Sequence, residues 1–236
     1  MRGHRTSVSQ NLTRFSDENM SAAKDASLTS KFKQVVGRTT NQKDFIQAIN
    51  EKDFILCDSP WGTGKTFIAV GMACQYFKAE KVDKIVFVRN SRNLIKEFGF
   101  APGTWEEKGF ALFDQVVEYF SEFLGHEEFE KLWKKRTIEL TSASIIRGRS
   151  FRRTFVVAEE VQESSKDDIL LFLSRMDRDS KLVMIGDRNQ VPGNCFFANM
   201  FDQLEDEAIA KIRMTKEDIQ RNKNIYRLCT KIQAIK

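Results

Sequence analysis

Short continuous apolar runs alternate with stretches of helical periodicity through most of the chain. Four runs rich in β-branched and aromatic residues stand at 54–57, 85–88, 155–157 and 182–185, and a weaker one stands at 137–140. Their apolar residues are continuous instead of alternating with polar ones, which is typical of strands buried on both faces. We therefore predict an α/β domain with a mostly parallel sheet and helices on both faces.

Apolar residues at spacings of three and four predict helices between these runs, notably at 66–79 and 166–176. Ser164 and Ser165 are available as caps of the second helix. A further helix carries an apolar stripe formed by Phe110, Phe113, Val117, Phe120, Phe123 and Leu124. A stripe at helical spacing indicates a core-facing surface more often than a ligand site.

The beginning of the chain differs from the rest. Residues 1–35 are rich in Ser, Thr, Asn, Lys and Asp and hold few large apolar side chains. Such a segment cannot bury enough surface to offset the entropy of ordering. We interpret 1–35 as a flexible basic arm and 36–236 as one folded domain.

Positive charge is concentrated in three segments. The net charge of the chain is +5, whereas residues 1–38, 147–153 and 211–236 carry +4, +4 and +6. Such segments attract phosphate backbones, although a solvated basic surface would explain the same charges. We find no apolar run long enough to span a membrane and no secretion signal, so we expect a cytoplasmic protein. The four cysteines are scattered away from both histidines, which favours reduced thiols over a zinc site or disulfides.

A glycine-rich segment directly follows the first predicted strand and opens a long helix, which is the setting of a phosphate-binding loop. Glycines let backbone N–H groups turn toward phosphates, and the helix N-terminus adds partial positive charge. Lys65 would reach the β- and γ-phosphate oxygens, and the Thr66 hydroxyl would bind Mg²⁺. Ser59 stands where the G-x-x-x-x-G-K-[ST] pattern has its first glycine. The predicted nucleotide-binding residues of the loop are Ser59, Pro60, Trp61, Gly62, Thr63, Gly64, Lys65 and Thr66.

Two adjacent acids end another predicted buried strand. Glu159 would order the Mg²⁺ shell, a position where aspartate is usual, and Glu160 would polarise the attacking water as general base. Two solvated acids at the end of a strand are the alternative interpretation. The phosphate-binding loop elsewhere in the chain favours the catalytic one.

Two glutamines complete the candidate site. Gln190 follows a strand that ends in Gly186-Asp187, and its amide could bond both the attacking water and a phosphate oxygen; the same residues also suit an ordinary turn. Gln42 precedes the first strand by about one short helix. Its amide could read the adenine edge, or Gln42 could be a helix cap or a surface residue.

Taken in order, these motifs resemble the PhoH family of P-loop ATPases, which are RecA-like and related to the N-terminal domain of superfamily one helicases. The resemblance covers residues 38–230. Besides the motifs above, it rests on Arg89, on 98–103 with Glu107-Lys108, on Arg147-Gly148-Arg149 and on Val161-Gln162. Departures are Ser59 for Gly, Glu159 for Asp and Phe98 for Leu.

The resemblance implies binding and hydrolysis of ATP with Mg²⁺, frequently in ring-shaped oligomers, and in some members RNA unwinding. It makes Arg221, in a diverged late segment, a phosphate sensor. Arg147 and Arg149 become candidates for an arginine that acts on a neighbouring subunit's nucleotide. Single-stranded nucleic acid, RNA above all, is the expected partner. We expect no intrinsic nuclease, because the chain has no room for the PIN domain of RNA-cutting members.

Two other functions stay open. A small-molecule P-loop kinase also uses G-x-G-K-T, but normally adds an arginine-rich lid and lacks the Gly-Asp-x-x-Gln sensor. A nucleotide-gated interaction module would hydrolyse slowly and only time the binding of a partner. Stimulation by nucleic acid, phosphorylation of an added acceptor, or neither would separate the three functions.

Overall fold

A computed structural model describes residues 33–90, 105–191, 193 and 195–233. The family match at 98–103 and nearly all of the predicted arm lie outside these residues. The side chain of Val35, at the end of that arm, packs against the core. The division into an arm and a domain stays a prediction.

Helices and strands alternate along the described residues. In chain order they are α1 (Thr40–Glu51), β1 (Phe54–Asp58), α2 (Lys65–Lys78), β2 (Lys84–Arg89), α3 (Trp105–Leu124), α4 (His126–Lys134), β3 (Ile138–Ser142), β4 (Thr154–Glu159), α5 (Lys166–Arg175), β5 (Lys181–Gly186), α6 (Phe196–Gln203), β6 (Ile209–Arg213) and α7 (Lys223–Gln233). Short 3-10 turns lie at Val161–Glu163, Arg188–Gln190 and Lys216–Asp218.

The six strands form one parallel sheet in the order β3-β2-β4-β5-β1-β6. Parallel strands end at the same edge of a sheet, so the residues that follow β1, β4 and β5 meet there. In open α/β sheets this edge is where ligands bind. The order also places β5, which leads to Gln190, between the strand of the glycine-rich loop and the strand of the two acids.

Each face of the sheet has its own apolar layer. Helices α1 to α4 cover one face, where Ile55, Phe87 and Val157 are fully buried. The other face packs against α5 and α6, with Phe172 and Phe197 buried on Leu56, Val86 and Val156. Burial of both faces explains the continuous apolar runs and confirms the predicted α/β class.

The predicted elements agree closely with the structure. The weak run at 137–140 is β3, and Ser165 caps α5 by accepting a hydrogen bond from the Asp168 N–H. Phe113, Phe120 and Phe123 of the apolar stripe are buried in the core, as predicted. Sequence patterns missed α6 and β6; in β6 the apolar run is broken by Lys211, as suits the edge of a sheet. In the described part of the chain, no helix is both long and apolar enough to cross a membrane.

Candidate nucleotide-binding site

The loop between β1 and α2 is shaped by two glycines. Gly62 and Gly64 have φ angles of 77° and 78°, in the left-handed region that favours glycine. Gly64 immediately precedes α2, which begins at Lys65. The unpaired N–H groups of the first helical turn therefore lie at the loop, an arrangement suited to an anionic phosphate.

Ser59 is built into the loop instead of disturbing it. It is buried, and its hydroxyl shares a hydrogen bond of 2.5 Å with the Thr63 hydroxyl across the loop. Thr63 Oγ1 also donates to the Pro60 carbonyl at 3.1 Å. The Ser59 N–H donates to the Gly186 carbonyl at 2.9 Å, which joins the loop to the end of β5. A serine in place of the first glycine is thus compatible with a closed loop.

The two residues after the glycines point their functional groups in different directions. Lys65 Nζ donates to the carbonyls of Ser59 and Pro60, at 2.9 and 3.3 Å, so its ammonium lies along the loop. Thr66 Oγ1 donates to Glu159 Oε1 at 2.6 Å. This hydrogen bond joins the beginning of α2 to the end of β4, across the intervening β5.

Glu159 is held from two sides. Its Oε2 accepts hydrogen bonds from Arg89 Nε and Nη2, at 2.9 and 2.6 Å, while Oε1 accepts from Thr66. The carboxylate is buried and Arg89 compensates its charge, as a buried ion requires. Arg89 ends β2, and sequence analysis noted it only as a family match.

Glu160 has a strained backbone and a perturbed carboxyl group. Its φ of 59° places a non-glycine residue in the left-handed region directly after β4. Such strain is uncommon and concentrates at functional sites. Burial, and secondarily the charge of Glu159, raises the pKa of Glu160 above its usual value. A raised pKa makes this carboxylate a stronger proton acceptor, which suits a general base.

Gln162 connects the two predicted catalytic side chains. Its Nε2 donates to the Glu160 carboxylate and, at 3.2 Å, to Gln190 Oε1. Its Oε1 accepts the Asp187 N–H at 3.1 Å. A Cβ on Gly186 would stand 3.0 Å from this Oε1, so glycine gives the side chain its room. Gln162 therefore sets Glu160 and Gln190 side by side.

Gln42 lies behind the loop, and its amide is already engaged. It is 3% exposed; Nε2 donates to the Thr63 carbonyl at 2.9 Å. Its Oε1 accepts the N–H groups of Arg38 and Thr39, at 2.7 and 3.3 Å, within the capping box of α1. This geometry makes Gln42 a cap and a support of the loop, and its adenine-reading role stays a prediction.

Arg221 lies directly against the loop. A Cβ on Gly62 would stand 3.3 Å from both Cγ and Cδ of Arg221, and the Gln220 N–H donates to the Gly62 carbonyl at 2.9 Å. Asp218 anchors this segment by accepting a hydrogen bond from Asn41 Nδ2 at 2.8 Å. Two motifs at opposite ends of the domain are thereby brought to one place.

Tyr119 is a neighbour of the site that sequence analysis missed. Burial raises the pKa of its hydroxyl, while the charges of Arg221 and Glu159 act on it in opposite directions. Its ring packs edge-on against Phe67, at 5.3 Å between centroids. Tyr119 lies one position before Phe120 of the apolar stripe, and nothing in that spacing marks it as different.

A known protein family matches nearly all of the described residues. The sequence profile of the PhoH-like protein family matches residues 34–233. The chain belongs to the PhoH-like family.

Known PhoH-like proteins are similar along most of this chain. The PhoH-like protein of Mycobacterium bovis is 27% identical over 203 residues, 83% of this chain and 57% of its own length. That of Bacillus subtilis is 28% identical over 161 residues, 68% of this chain and 50% of its length. The chain thus spans about half the length of the curated relatives it matches.

Solved structures show the same fold. The large terminase of a thermophilic bacteriophage has a TM-score of 0.54 at 13% identity, over 82% of this chain and 50% of the terminase. A structure of that terminase in complex with ADP has a TM-score of 0.50 at 14% identity, with the same coverage of both chains. The PhoH-like domain therefore has the RecA-like fold of P-loop NTPases.

The residues of the PhoH-like site fit a magnesium nucleotide. Thr66 and Glu159 present a hydroxyl and a carboxylate oxygen 2.6 Å apart, and Mg²⁺ prefers such hard oxygen ligands. The glycine loop and Lys65 fit the phosphates that would carry the ion. Among the described residues, no group of three or more His, Cys, Asp or Glu side chains could hold a metal.

The two candidate finger arginines lie elsewhere. Arg149 Nη2 donates to Glu139 Oε2 at 2.6 Å, near the beginning of β3, and Arg147 is exposed. Three strands separate β3 from β1, a distance of roughly 19 Å. Neither arginine is brought to the phosphate-binding loop of its own chain, so a role in hydrolysis would need a second subunit.

Proposed function

We propose that this PhoH-like chain binds ATP with Mg²⁺ and hydrolyses it. The hydrogen bond between Thr66 and Glu159 carries this proposal. It joins the phosphate-binding helix to the end of β4, directly before the candidate base Glu160. Phosphate binding and water activation are then adjacent, as hydrolysis requires.

The phosphates would be held by the loop and activated by its flanking cations. Backbone N–H groups at the start of α2 and the Lys65 ammonium stabilise negative charge on the β- and γ-phosphates. Arg221, packed on Gly62, supplies a second positive charge beside the loop. Thr66 and Glu159 would hold Mg²⁺, which neutralises phosphate charge when bound.

The water would be activated at the ends of β4 and β5. Glu160 accepts a proton from water, whose oxygen attacks the γ-phosphorus while the bond to the leaving ADP oxygen breaks. The buried setting that raises the pKa of Glu160 favours this transfer. Gln190, aligned by Gln162 at 3.2 Å, orients the water and a phosphate oxygen.

We further propose that hydrolysis is coupled to single-stranded nucleic acid, with RNA favoured. Exposed arginines support this, including Arg147 and Arg152 in one basic segment and Arg227 in α7. Two other arginines of residues 147–153 are paired within the chain, Arg149 with Glu139 and Arg153 with Asp83. They therefore contribute less to the attraction of nucleic acid. Because one RecA-like lobe cannot clamp a strand alone, unwinding would need a second lobe, which a neighbouring subunit in a ring could supply.

The test is ATP turnover of the purified protein with Mg²⁺, with and without single-stranded RNA or DNA. We expect turnover that rises with nucleic acid and is lost in Lys65→Ala. Turnover that ignores nucleic acid would favour the timed interaction module, and phosphorylation of an added acceptor would favour the kinase. No turnover under any condition would contradict the proposal.

A further inference from the structure

Four charged residues form a cluster that joins the phosphate-binding strand to the loop carrying Gln190. Two are acids, Asp58 and Asp202, and two are arginines, Arg188 and Arg213. Asp58 ends β1 immediately before the glycine-rich loop. Arg188 lies two residues before Gln190 and begins its 3-10 turn. The cluster thus touches both halves of the candidate site without being part of either.

Arg188 uses all three of its guanidinium nitrogens and its backbone N–H within this cluster. Its Nε donates to the Asp58 carboxylate, and its backbone N–H donates to Asp58 Oδ1 at 3.3 Å. Nη1 and Nη2 form a two-pronged contact with Asp202, at 2.9 and 3.0 Å. The guanidinium also stacks over the Phe201 ring, 5.4 Å from its centroid. Geometry of this kind is specific to arginine.

Asp58 requires a cation such as Arg188 beside it. Its side chain is buried, and a buried carboxylate is strongly destabilising unless a cation faces it. Arg188 is the nearer of its two cations; Arg213 Nε stands 3.5 Å away and is half exposed. Satisfying Asp58 therefore draws both the side chain and the backbone of Arg188 to the end of β1.

We propose that Arg188 is a positioning residue that sets Gln190 against the bound nucleotide. It does so by tying the 3-10 turn at Arg188–Gln190 to the strand that leads into the phosphate-binding loop. Gln162 aligns the Gln190 side chain from the other direction. This inference rests on the proposed function, because Gln190 is assigned there to orient the attacking water.

The first experiment compares steady-state turnover of Arg188→Met with the unaltered chain. We expect kcat to fall by about ten- to a hundredfold while KM changes by less than about threefold, since the glycine-rich loop and Lys65, and not Gln190, would make most contacts with the nucleotide. Arg188→Lys should recover part of kcat, because lysine can face Asp58 but cannot make the two-pronged contact. Lys211→Met is the matched control: it removes a cation near the same Phe201 ring and leaves Asp58 untouched.

A double-variant cycle separates positioning from a general loss of structure. If Arg188 acts through Gln190, Arg188→Met should lower kcat no further once Gln190→Ala is present. Losses that multiply in the double variant would overturn the proposal. Asp58→Asn combined with Arg188→Met removes the buried charge that would otherwise face only the more distant Arg213; we expect the double variant to regain stability but not kcat.

Hydrogen exchange provides a readout that does not depend on turnover. In Arg188→Met, the backbone amides of the turn at Arg188–Gln190 should exchange faster, because the side-chain hydrogen bonds from residue 188 to Asp58 and Asp202 are lost. Unchanged exchange would overturn the proposal. If the unaltered chain shows no turnover, the proposed function fails, and the exchange measurement by itself decides whether Arg188 holds the turn.

Discussion

Two glutamates of the sheet, one near the beginning of its strand and one at the end of its strand, are both bound by cations but have different neighbours. Glu139, near the beginning of β3, accepts hydrogen bonds from Lys84 and Arg149, which lower its pKa despite partial burial. Glu159, at the end of β4, accepts from Arg89 and from the Thr66 hydroxyl. Both hydrogen-bond donors to the Glu139 carboxylate are cations, whereas one oxygen of Glu159 accepts a hydrogen bond from a hydroxyl of the phosphate-binding helix. The same residue type is an ion-pair partner near the beginning of β3 and lies in the candidate site at the end of β4.

Non-glycine residues with a positive φ also differ between the beginnings and the ends of the strands. Five non-glycine residues of the described chain have positive φ, and four of them lie in turns before a strand: Glu80, Arg136, Arg153 and Asp179. Glu160 differs, because it follows a strand and its carboxyl group is largely buried. The turns use left-handed residues to reverse the chain. At Glu160 the same conformation places the proposed general base.

The largest effect should come from removing the candidate base. Glu160→Gln keeps the shape of the side chain but cannot accept a proton, so we expect kcat to fall by about 10²- to 10⁴-fold with nucleotide binding retained. Glu139→Gln is the matched control at the other end of the sheet, and its turnover should stay near normal. Steady-state kinetics measures kcat and nucleotide titration measures binding in both variants, and equal losses of kcat would contradict a catalytic role that only Glu160 has.

The pH dependence of turnover is a second test of the difference between Glu160 and Glu139. Glu160 must be ionised to accept a proton, and burial raises its pKa above the usual 4.5. As pH falls through that raised pKa, kcat should therefore fall by about tenfold per pH unit. The pH profile of turnover of Glu139→Gln should match that of the unaltered chain, because Glu139, whose pKa is lowered, takes no part in the proposed proton transfer. A flat acidic side in the unaltered chain would argue against Glu160 as the base.

Replacing Gln42 should have a smaller effect on nucleotide affinity, and this effect should be the same for nucleotides with different bases. Gln42→Ala removes the hydrogen bond to the Thr63 carbonyl and leaves that group unpaired behind the loop. We expect affinity for ATP and GTP to fall together, by about five- to tenfold. Titration with both nucleotides, with Gln47→Ala on the exposed side of α1 as control, measures the ratio. A much greater loss for ATP would instead support adenine reading by Gln42.

The smallest effect concerns strain away from the site. Arg136 has a φ of 57° and is exposed in the turn before β3. Arg136→Gly should raise the free energy of unfolding by about 0.5 kcal/mol, because glycine accepts this conformation at a lower cost. Turnover should not change. Denaturant unfolding tests the gain, and a loss of stability would show that the arginine side chain contributes more than the strain removes.

Sequence patterns located most of the fold because buried parallel strands and their helices have clear periodicities. They also led to the predictions for Lys65, Thr66 and the acids at 159–160, because those motifs are local in sequence. They missed β6, since an edge strand with basic residues resembles a basic segment. They assigned no role to Arg188 or Tyr119, because each becomes significant only through residues far along the chain.

By itself, the sequence determined the fold class, and it indicated the glycine-rich loop and the residues that we propose for hydrolysis. Tertiary structure decided which of those residues meet. It brought Arg221 to Gly62 and Asn41 to Asp218, and it paired Arg149 with Glu139 far from the loop. The reason is physical: periodicity and turn residues act over a few positions, whereas parallel strand order depends on how both faces of the sheet are covered. That order places the ends of β1, β5 and β4 side by side.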